Sequence, residues 1–284
     1  MTEPVELVPG RLYRLGGIVP IDDRLSWRPT GMRGYEPISA YLLLEESRAL
    51  LVGTGVRLHR RLIIDQVRAL LGGRELQIYV GRNEADEIGN LAVLTTEFGV
   101  RRIWCATAGH LLRWFEHDDL GGRIPDAEIT FLLPPDSPGR RIILEERPSV
   151  VEFAEQRPLR LLHTRLSTLG VAWLYDEGTR TLFSSDFFSE VAMTDPSSTP
   201  VFAGPDTRGP SFEQVEEHVF SRFYWMRQAD TAPLVANLDS ITGDREIERI
   251  CPYHGCVIEG RELVAHHVAL TREVLEAVAS PGAR

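Results

Sequence analysis

The sequence contains no lysine, so all 31 of its basic residues are arginine. A chain without lysine cannot form a lysine Schiff base, anchor pyridoxal phosphate through a lysine amine, or supply the lysine of a phosphate-binding P-loop. Cysteine is also scarce, with only Cys105, Cys251 and Cys256. Three cysteines exclude a disulfide scaffold and favour a reducing, cytoplasmic location.

Positive charge is in deficit, since the formal net charge is −10. Binding to a nucleic-acid backbone needs a basic face, so we expect no nucleic-acid partner. No apolar run approaches the roughly 18 residues that a membrane span requires, and the first residues lack a secretory signal, so we expect no membrane association. The glycine motifs of dinucleotide-binding proteins and serine hydrolases are absent as well.

No repeat, low-complexity stretch or linker divides the 284 residues, so we expect a single domain over residues 1–284. Short segments rich in Leu, Val and Tyr alternate with segments whose apolar residues recur at helical spacing, which predicts a layered α/β fold. The predicted strands are Arg11–Gly17, Ile38–Leu44, Ala49–Val52, Glu75–Val80, Arg101–Ala106, Glu128–Leu133, Arg141–Leu144, Leu159–His163, Val171–Tyr175, Thr181–Phe183 and Ile247–Cys251. The predicted helices are His59–Leu71, Ile88–Phe98, Phe212–Arg227, Pro233–Ile241 and Arg261–Ala277.

Carboxylate and imidazole side chains follow several of the predicted strands. In layered α/β folds the residues at strand ends are where functional sites are assembled. Carboxylates and imidazoles together suit iron, zinc or manganese. These residues are Glu84, Asp86 and Glu87 at one strand-to-helix junction, and His163, Asp186 and His254 at three later strand ends.

The order of these residues resembles the metallo-β-lactamase superfamily, and within it the flavodiiron and oxygen-binding di-iron proteins. The first metal motif of that branch reads His-x-Glu-x-Asp-His, and Glu84 and Asp86 match its Glu and Asp. His163 matches the lone histidine of the branch, Asp186 its bridging aspartate, and His254 its last ligand. The resemblance covers most of the chain and implies a four-layer αββα sandwich of the metallo-β-lactamase type.

The sequence also departs from this family at three positions. Arg82 stands where the family has its first histidine, and Glu87 stands where it has the last histidine of the motif. An arginine cannot bind a metal because its guanidinium stays protonated. Gly53 replaces the family's aspartate at an earlier strand end, and no flavodoxin-like segment follows His254, so we expect no flavin in this chain.

The resemblance implies a metal ion held by Asp86, Asp186 and His254, and a second, weaker position formed by Glu84, His163 and the bridging Asp186. Arg82 and Glu87 then lie beside the metal as catalytic or supporting groups. Clustered carboxylates repel by roughly 1–4 kcal/mol per pair at about 4 Å, and a bound cation removes that repulsion. We expect one or two iron ions, with zinc or manganese as alternatives.

Three functions remain open at this stage. The leading hypothesis is a metal-dependent, oxidoreductase-like protein that binds or activates dioxygen or a similar small oxidant. The resemblance implies a non-haem di-iron centre, an external electron donor and a homodimer. The second is a metal-dependent hydrolase of an ester, lactone or thioester. The third is a member that has lost catalysis and binds a ligand.

Other candidate residues have simpler interpretations. Asp86 and Glu87 taken alone are typical of the first turn of a helix, where the helix dipole favours negative charge. His266 and His267 occupy adjacent helical positions that do not share a face, so both are expected at the surface. Cys251 and Cys256 flank His254, but a strand followed by a loop does not favour a closed zinc finger there.

Overall fold

The computed structural model describes residues 3–82, 84–106, 127–132, 148–166, 172–204 and 209–279. Its strands are β1 (Val5–Val8), β2 (Leu12–Ile21), β3 (Gly34–Leu44), β4 (Arg48–Val52), β5 (Glu75–Val80), β6 (Arg102–Cys105), β7 (Glu128–Phe131), β8 (Val150–Val151), β9 (Leu159–His163), β10 (Ala172–Asp176), β11 (Thr181–Ser185), β12 (Val201–Phe202), β13 (Arg249–Pro252) and β14 (Val257–Glu259). Its α-helices are α1 (Arg60–Leu71), α2 (Ala85–Ile88), α3 (Leu91–Phe98), α4 (Phe212–Arg222), α5 (Ala232–Gly243) and α6 (Arg261–Ala279).

The chain divides into two compact units. The first unit contains Met1–Gly17, Ile38–His163 and Leu169–Thr179. The second unit contains Ile18–Pro37, Thr164–Thr168 and Arg180–Arg284. Each unit is therefore assembled from separate stretches of the chain.

In the first unit, β3 and β4 form an antiparallel pair in which Tyr41 lies opposite Val52. Strands β4, β5, β6 and β7 then pair in parallel, in that order, while β8, β9 and β10 pair in antiparallel fashion. The run of parallel strands is almost continuously apolar because such strands are buried on both faces. The carboxyl ends of β4 and β5 meet at one edge of the sheet, and the loop that carries Arg82 begins there.

Helix α1 covers this sheet through an apolar face. Ile63 and Val67 are fully buried in the same core as Leu51 and Ile78, and burial of each such side chain contributes roughly 1.5–3 kcal/mol. The helix ends at Gly72, whose φ of +56° is left-handed and favours a residue without a Cβ atom.

In the second unit, β11 runs parallel to β13, with Ser185 opposite Pro252. Strand β14 pairs antiparallel with β13 and parallel with β12. Helix α6 packs against both α4 and α5. Helix α4 begins with a capping box, in which Ser211 and Gln214 satisfy each other's backbone N–H groups.

The predicted fold class, mixed α/β of the metallo-β-lactamase type, is confirmed: the described strands form two seven-stranded sheets accompanied by helices. The predicted strands Glu75–Val80 and Leu159–His163 match the structure at both ends. The helix predicted over Ile88–Phe98 is confirmed at its end, since α3 ends at Phe98, but α3 begins only at Leu91, and the short helix α2 precedes it. The predicted strand Arg141–Leu144 lies outside the described residues.

The prediction for His267 is also wrong. His266 is exposed, but His267 is fully buried and its Nδ1 lies 2.5 Å from Glu190 Oε1. Helix α6 packs against neighbouring helices, so two adjacent positions on it can differ completely in burial. None of the helices in the described part of the chain is long and apolar enough to cross a membrane.

Candidate metal centre

Asp186 lies at the carboxyl end of β11, in a turn with unusual backbone geometry. The residue before it, Ser185, has a φ of +56°, and Phe188 has a φ of +59°. A non-glycine residue in this left-handed region is costly and is found where the surrounding structure enforces it. The hydroxyl of Ser189 donates to the carbonyl oxygen of Asp186 at 2.6 Å, which helps to hold the turn.

His254 lies in the loop after β13, beside the Asp186 turn. The backbone N–H of Tyr253 donates to Ser185 O at 2.7 Å, which ties the two loops together. Gly255 has a φ of +80°, and a Cβ atom there would lie 2.7 Å from Ser189 O. Only glycine fits this close approach, so the sequence His-Gly is required by the packing of the loop.

The side chains of Asp186 and His254 face each other within the second unit. Asp186 Oδ1 lies 4.0 Å from His254 Nε2. On the other side of the ring, Nδ1 of His254 lies 3.7 Å from Oε1 of the buried Glu36, and the Trp27 ring lies against the imidazole with 4.8 Å between centroids. The imidazole is thus enclosed, with its Nε2 toward a carboxylate.

Two arginines offset the negative charge around this pair. Arg222, at the end of α4, lies 2.5 Å from Asp186 Oδ2 through its Nη2 atom. Arg28 forms an ion pair with Glu36 in which both side chains are at most 1% exposed. Removing one partner of such a buried pair costs about 3–5 kcal/mol, because the remaining charge is left uncompensated.

In the first unit, the carboxylates after β5 surround Arg82. The Arg82 side chain is only 1% exposed, and its Nη1 atom lies 2.9 Å from Glu84 Oε2. Its Nη2 atom pairs with Asp86, and its Nε atom lies 3.4 Å from Glu87 Oε2. One guanidinium therefore serves three carboxylates, and the positive charge that this cluster requires comes from the protein itself.

Glu87 is fully buried and has a structural role in this loop. Its carboxylate accepts hydrogen bonds from the backbone N–H groups of Gly81 and Arg82. The carbonyl oxygen of Glu87 accepts from the hydroxyl of Thr54 at 2.6 Å. The glutamate that replaces a family histidine thus fixes the loop between β5 and α2.

The remaining predicted ligands are distributed as follows. Glu84 and Asp86 lie beside Arg82, while His163 ends β9 opposite Ala172 and is half-buried. Within the described residues of either unit alone, no three His, Cys, Asp or Glu side chains converge as a metal site. Of the five predicted ligands, Asp186 and His254 face each other within the second unit.

Sequence reasoning missed Glu36, Arg28 and Arg222. Glu36 carried a usable signal, because it lies in a mostly apolar strand and a buried carboxylate needs a partner. Arg222 carried none, since an arginine at the end of an exposed amphipathic helix is ordinary.

The donors in the second unit fit a metal ion. Metal–nitrogen and metal–oxygen bonds of roughly 2.0–2.2 Å allow one ion to bind two atoms that lie 4.0 Å apart. A histidine that binds metal through one ring nitrogen commonly has a carboxylate behind the other, which is the place of Glu36. The first unit fits a second ion poorly, because Arg82 lies among its carboxylates.

The chain resembles known proteins in both sequence and structure. The family model of the metallo-beta-lactamase superfamily matches residues 85–227. Rubredoxin oxygen:oxidoreductase of Desulfovibrio gigas has a TM-score of 0.70 at 16% identity, over 96% of this chain and 62% of that protein. The flavodiiron protein of Giardia intestinalis has a TM-score of 0.61 at 15% identity, over 98% and 60%.

A third structure, a fragment of the putative diflavin flavoprotein A 5 of Nostoc, has a TM-score of 0.60 at 14% identity, over 97% of this chain and 96% of the fragment. The chain thus spans under two thirds of the first two proteins, and likeness at these identities concerns the fold. No curated protein sequence matches the chain. The family match and the fold agree: this chain belongs to the metallo-β-lactamase superfamily, a family of metal-dependent enzymes.

Proposed function

We propose that this chain holds one non-haem iron ion through Asp186 and His254 of the second unit, and uses it to bind or reduce dioxygen or a similarly small oxidant. The observation that carries the proposal is the 4.0 Å separation between Asp186 Oδ1 and His254 Nε2, with Glu36 behind the imidazole. The likeness of the fold to rubredoxin oxygen:oxidoreductase and to a flavodiiron protein supports iron and a small oxidant.

One ion is proposed instead of two because of Arg82. Its guanidinium already compensates Glu84 and Asp86, and a second cation close to it would be repelled. Glu87 uses both of its carboxylate oxygens on backbone N–H groups, so it is a poor ligand. Glu84, Asp86 and His163 therefore stay outside the proposed ligand set.

The chain's own residues have distinct roles in this proposal. A bound iron supplies redox electrons and a positive charge that stabilises the reduced oxidant. Glu36 places a carboxylate 3.7 Å behind Nδ1 of His254, on the side of the ring away from Asp186, and Arg222 orients the Asp186 carboxylate by holding Oδ2. Arg82, paired with Asp86 and Glu84, compensates the acidic loop of the first unit.

The proposed partners follow from this chemistry. Reduction of dioxygen consumes electrons that one iron ion cannot supply alone, so we propose a separate electron donor. No flavin is proposed for this chain, and a homodimer is proposed because the di-iron branch suggests one.

Loading of the purified protein with iron under nitrogen, followed by exposure to air, tests this function. We expect the ferrous protein to consume oxygen and to develop a ferric absorption band, and we expect Asp186→Ala and His254→Ala to lose both responses. Asp244→Ala is the matched control, since this exposed aspartate lies at the end of α5.

Two results would contradict the proposal in different ways. Turnover of an ester, lactone or thioester by zinc-loaded protein without oxygen would support a hydrolase. Failure to retain any metal would support a ligand-binding family member without catalysis. That alternative agrees with the ion pairs by which Arg82 and Arg222 compensate acidic groups.

A further inference from the structure

The second unit contains a cavity that the proposed iron chemistry does not use. Its volume is about 560 Å³, within the roughly 300–1,000 Å³ of sites that bind small molecules. Met32, Met193 and Phe202 give it apolar walls, and its polar wall includes Glu190, Glu217 and His218. A ligand for this cavity therefore needs an apolar body and a polar group.

The two arginines in the wall are already paired. Arg28 forms the buried ion pair with Glu36, and its Nη1 atom donates to the carbonyl oxygen of Glu190 at 3.2 Å. Arg33 forms an ion pair with Asp23 at 3.0 Å. These positive charges are offset by carboxylates of the protein, so the cavity does not favour an anionic ligand.

The carboxylates in the wall are less fully compensated. Glu190 contacts the buried His267 through Oε1 at 2.5 Å. Glu217 also lines the cavity, and it forms no ion pair within the described part of the chain. Even with a proton on His267, the wall keeps the negative charge of Glu217. Its charge is therefore complementary to a cation.

His218 adds a buried hydrogen-bond acceptor to this wall. The Ser189 hydroxyl donates its only hydrogen to Asp186 O, so His218 Nε2, 3.0 Å from Ser189 Oγ, must be the protonated nitrogen. His218 Nδ1 is then an acceptor, and it has no hydrogen-bond partner among the described residues. Burial, with Arg28 and Arg222 nearby, holds the pKa of His218 well below its usual value, so the ring is neutral.

We propose that this cavity binds a small amine with an apolar body. The ammonium group lies against the carboxylate wall formed by Glu190 and Glu217, and its N–H groups donate to those carboxylates. The neutral ring of His218 adds no opposing charge, and the apolar body packs against Met32, Met193 and Phe202. The site does not depend on a metal ion, so this proposal can be tested independently of the proposed function.

Calorimetric titration of the full chain, kept metal-free with a chelator, tests this proposal. The probes are 2-phenylethylamine, 2-phenylethanol and 3-phenylpropionate, which share an aromatic body and differ in the polar group. We expect the amine to bind at least 10-fold more tightly than the alcohol and the carboxylate. Equal affinities, tighter binding of the carboxylate, or no binding of the amine would overturn the proposal.

Two variants locate the binding. Glu217→Gln is expected to weaken the amine at least 5-fold, whereas Glu273→Gln, an exposed glutamate of α6 outside the cavity, leaves it unchanged. Ala192→Phe fills the cavity and is expected to abolish binding, with thermal unfolding confirming that the variant is folded. Binding that survives Ala192→Phe, or that is equally weakened by both glutamine variants, would contradict the assignment.

Discussion

At the scale of single residues, Arg82 decides what the acidic loop after β5 can hold. Its buried guanidinium contacts Glu84, Asp86 and Glu87, at the position where the family resemblance expects a histidine ligand. Three carboxylates brought together by folding need positive charge, and arginine supplies it without a metal. This substitution changes the number of ions that the protein is expected to bind.

Exchange of Arg82 tests that role directly. Arg82→His removes the permanent charge and adds a ligand, so we expect the iron content to rise from one ion toward two per chain. Arg82→Met leaves the carboxylates uncompensated and is expected to lower the free energy of unfolding by about 3–5 kcal/mol in urea with chelator present.

Arg68 provides the control for both variants, because it pairs with Asp65 and Glu97 on the surface of the same unit. Replacing Arg68 with His or Met is expected to change the free energy of unfolding by less than about 1 kcal/mol and to leave the iron content unchanged. An unchanged metal content in Arg82→His would show that this arginine does not occupy a metal position.

At the scale of elements, His59 joins the start of α1 to β2. The backbone N–H of Gly17 donates to His59 Nδ1 at 3.2 Å. Burial of the ring, followed by the positive charge of Arg14, lowers the pKa of His59 to about 4. The folded protein therefore favours the neutral imidazole, while the unfolded chain titrates near the usual pKa of about 6.5.

The stability contributed by neutral His59 is present above about pH 6.5 and is lost as the pH falls toward 4, because only the unfolded chain gains the proton in that range. In His59→Asn, the Asn Oδ1 can accept from Gly17 without titrating. We therefore expect the loss in free energy of unfolding between pH 7.5 and pH 4.5 to be about 1–2 kcal/mol smaller in this variant. Urea unfolding of both proteins at pH 7.5 and 4.5 measures the difference, and identical pH profiles would contradict the assignment.

The sequence predicted these elements where local patterns determine them. Strand β5 and the end of α1 at Gly72 follow from apolar runs and a glycine stop. The break between α2 and α3 does not, because it depends on Asn90, whose side chain donates to the backbone carbonyls of residues 54, 55 and 56. Bonds between residues so far apart in the chain leave no local pattern in the sequence.

The candidate site likewise combines features that local sequence patterns indicate with features that they do not. Parallel pairing of β11 and β13 brings their carboxyl ends together, and Asp186 Oδ1 lies 4.0 Å from His254 Nε2, a proximity that local sequence patterns can indicate. The partners of these residues, Glu36 and Arg222, come from a separate strand and from the end of a helix. They could be found only after the chain had been placed in three dimensions.

At the scale of the whole molecule, the two units carry different arrangements of charged side chains. The second unit supplies Asp186 and His254, with Glu36 and Arg222 supporting them. The first unit carries Asp86 paired with the guanidinium of Arg82, so its carboxylates are compensated without an ion. The account therefore requires one ion, held in the second unit.

The iron content per chain, measured by plasma mass spectrometry on protein reconstituted with excess ferrous iron and then desalted, tests this claim most directly. The account predicts one ion in the natural sequence, one in Asp244→Ala, and none in Asp186→Ala or His254→Ala. Two ions in the natural sequence, or one ion retained after loss of both Asp186 and His254, would contradict it.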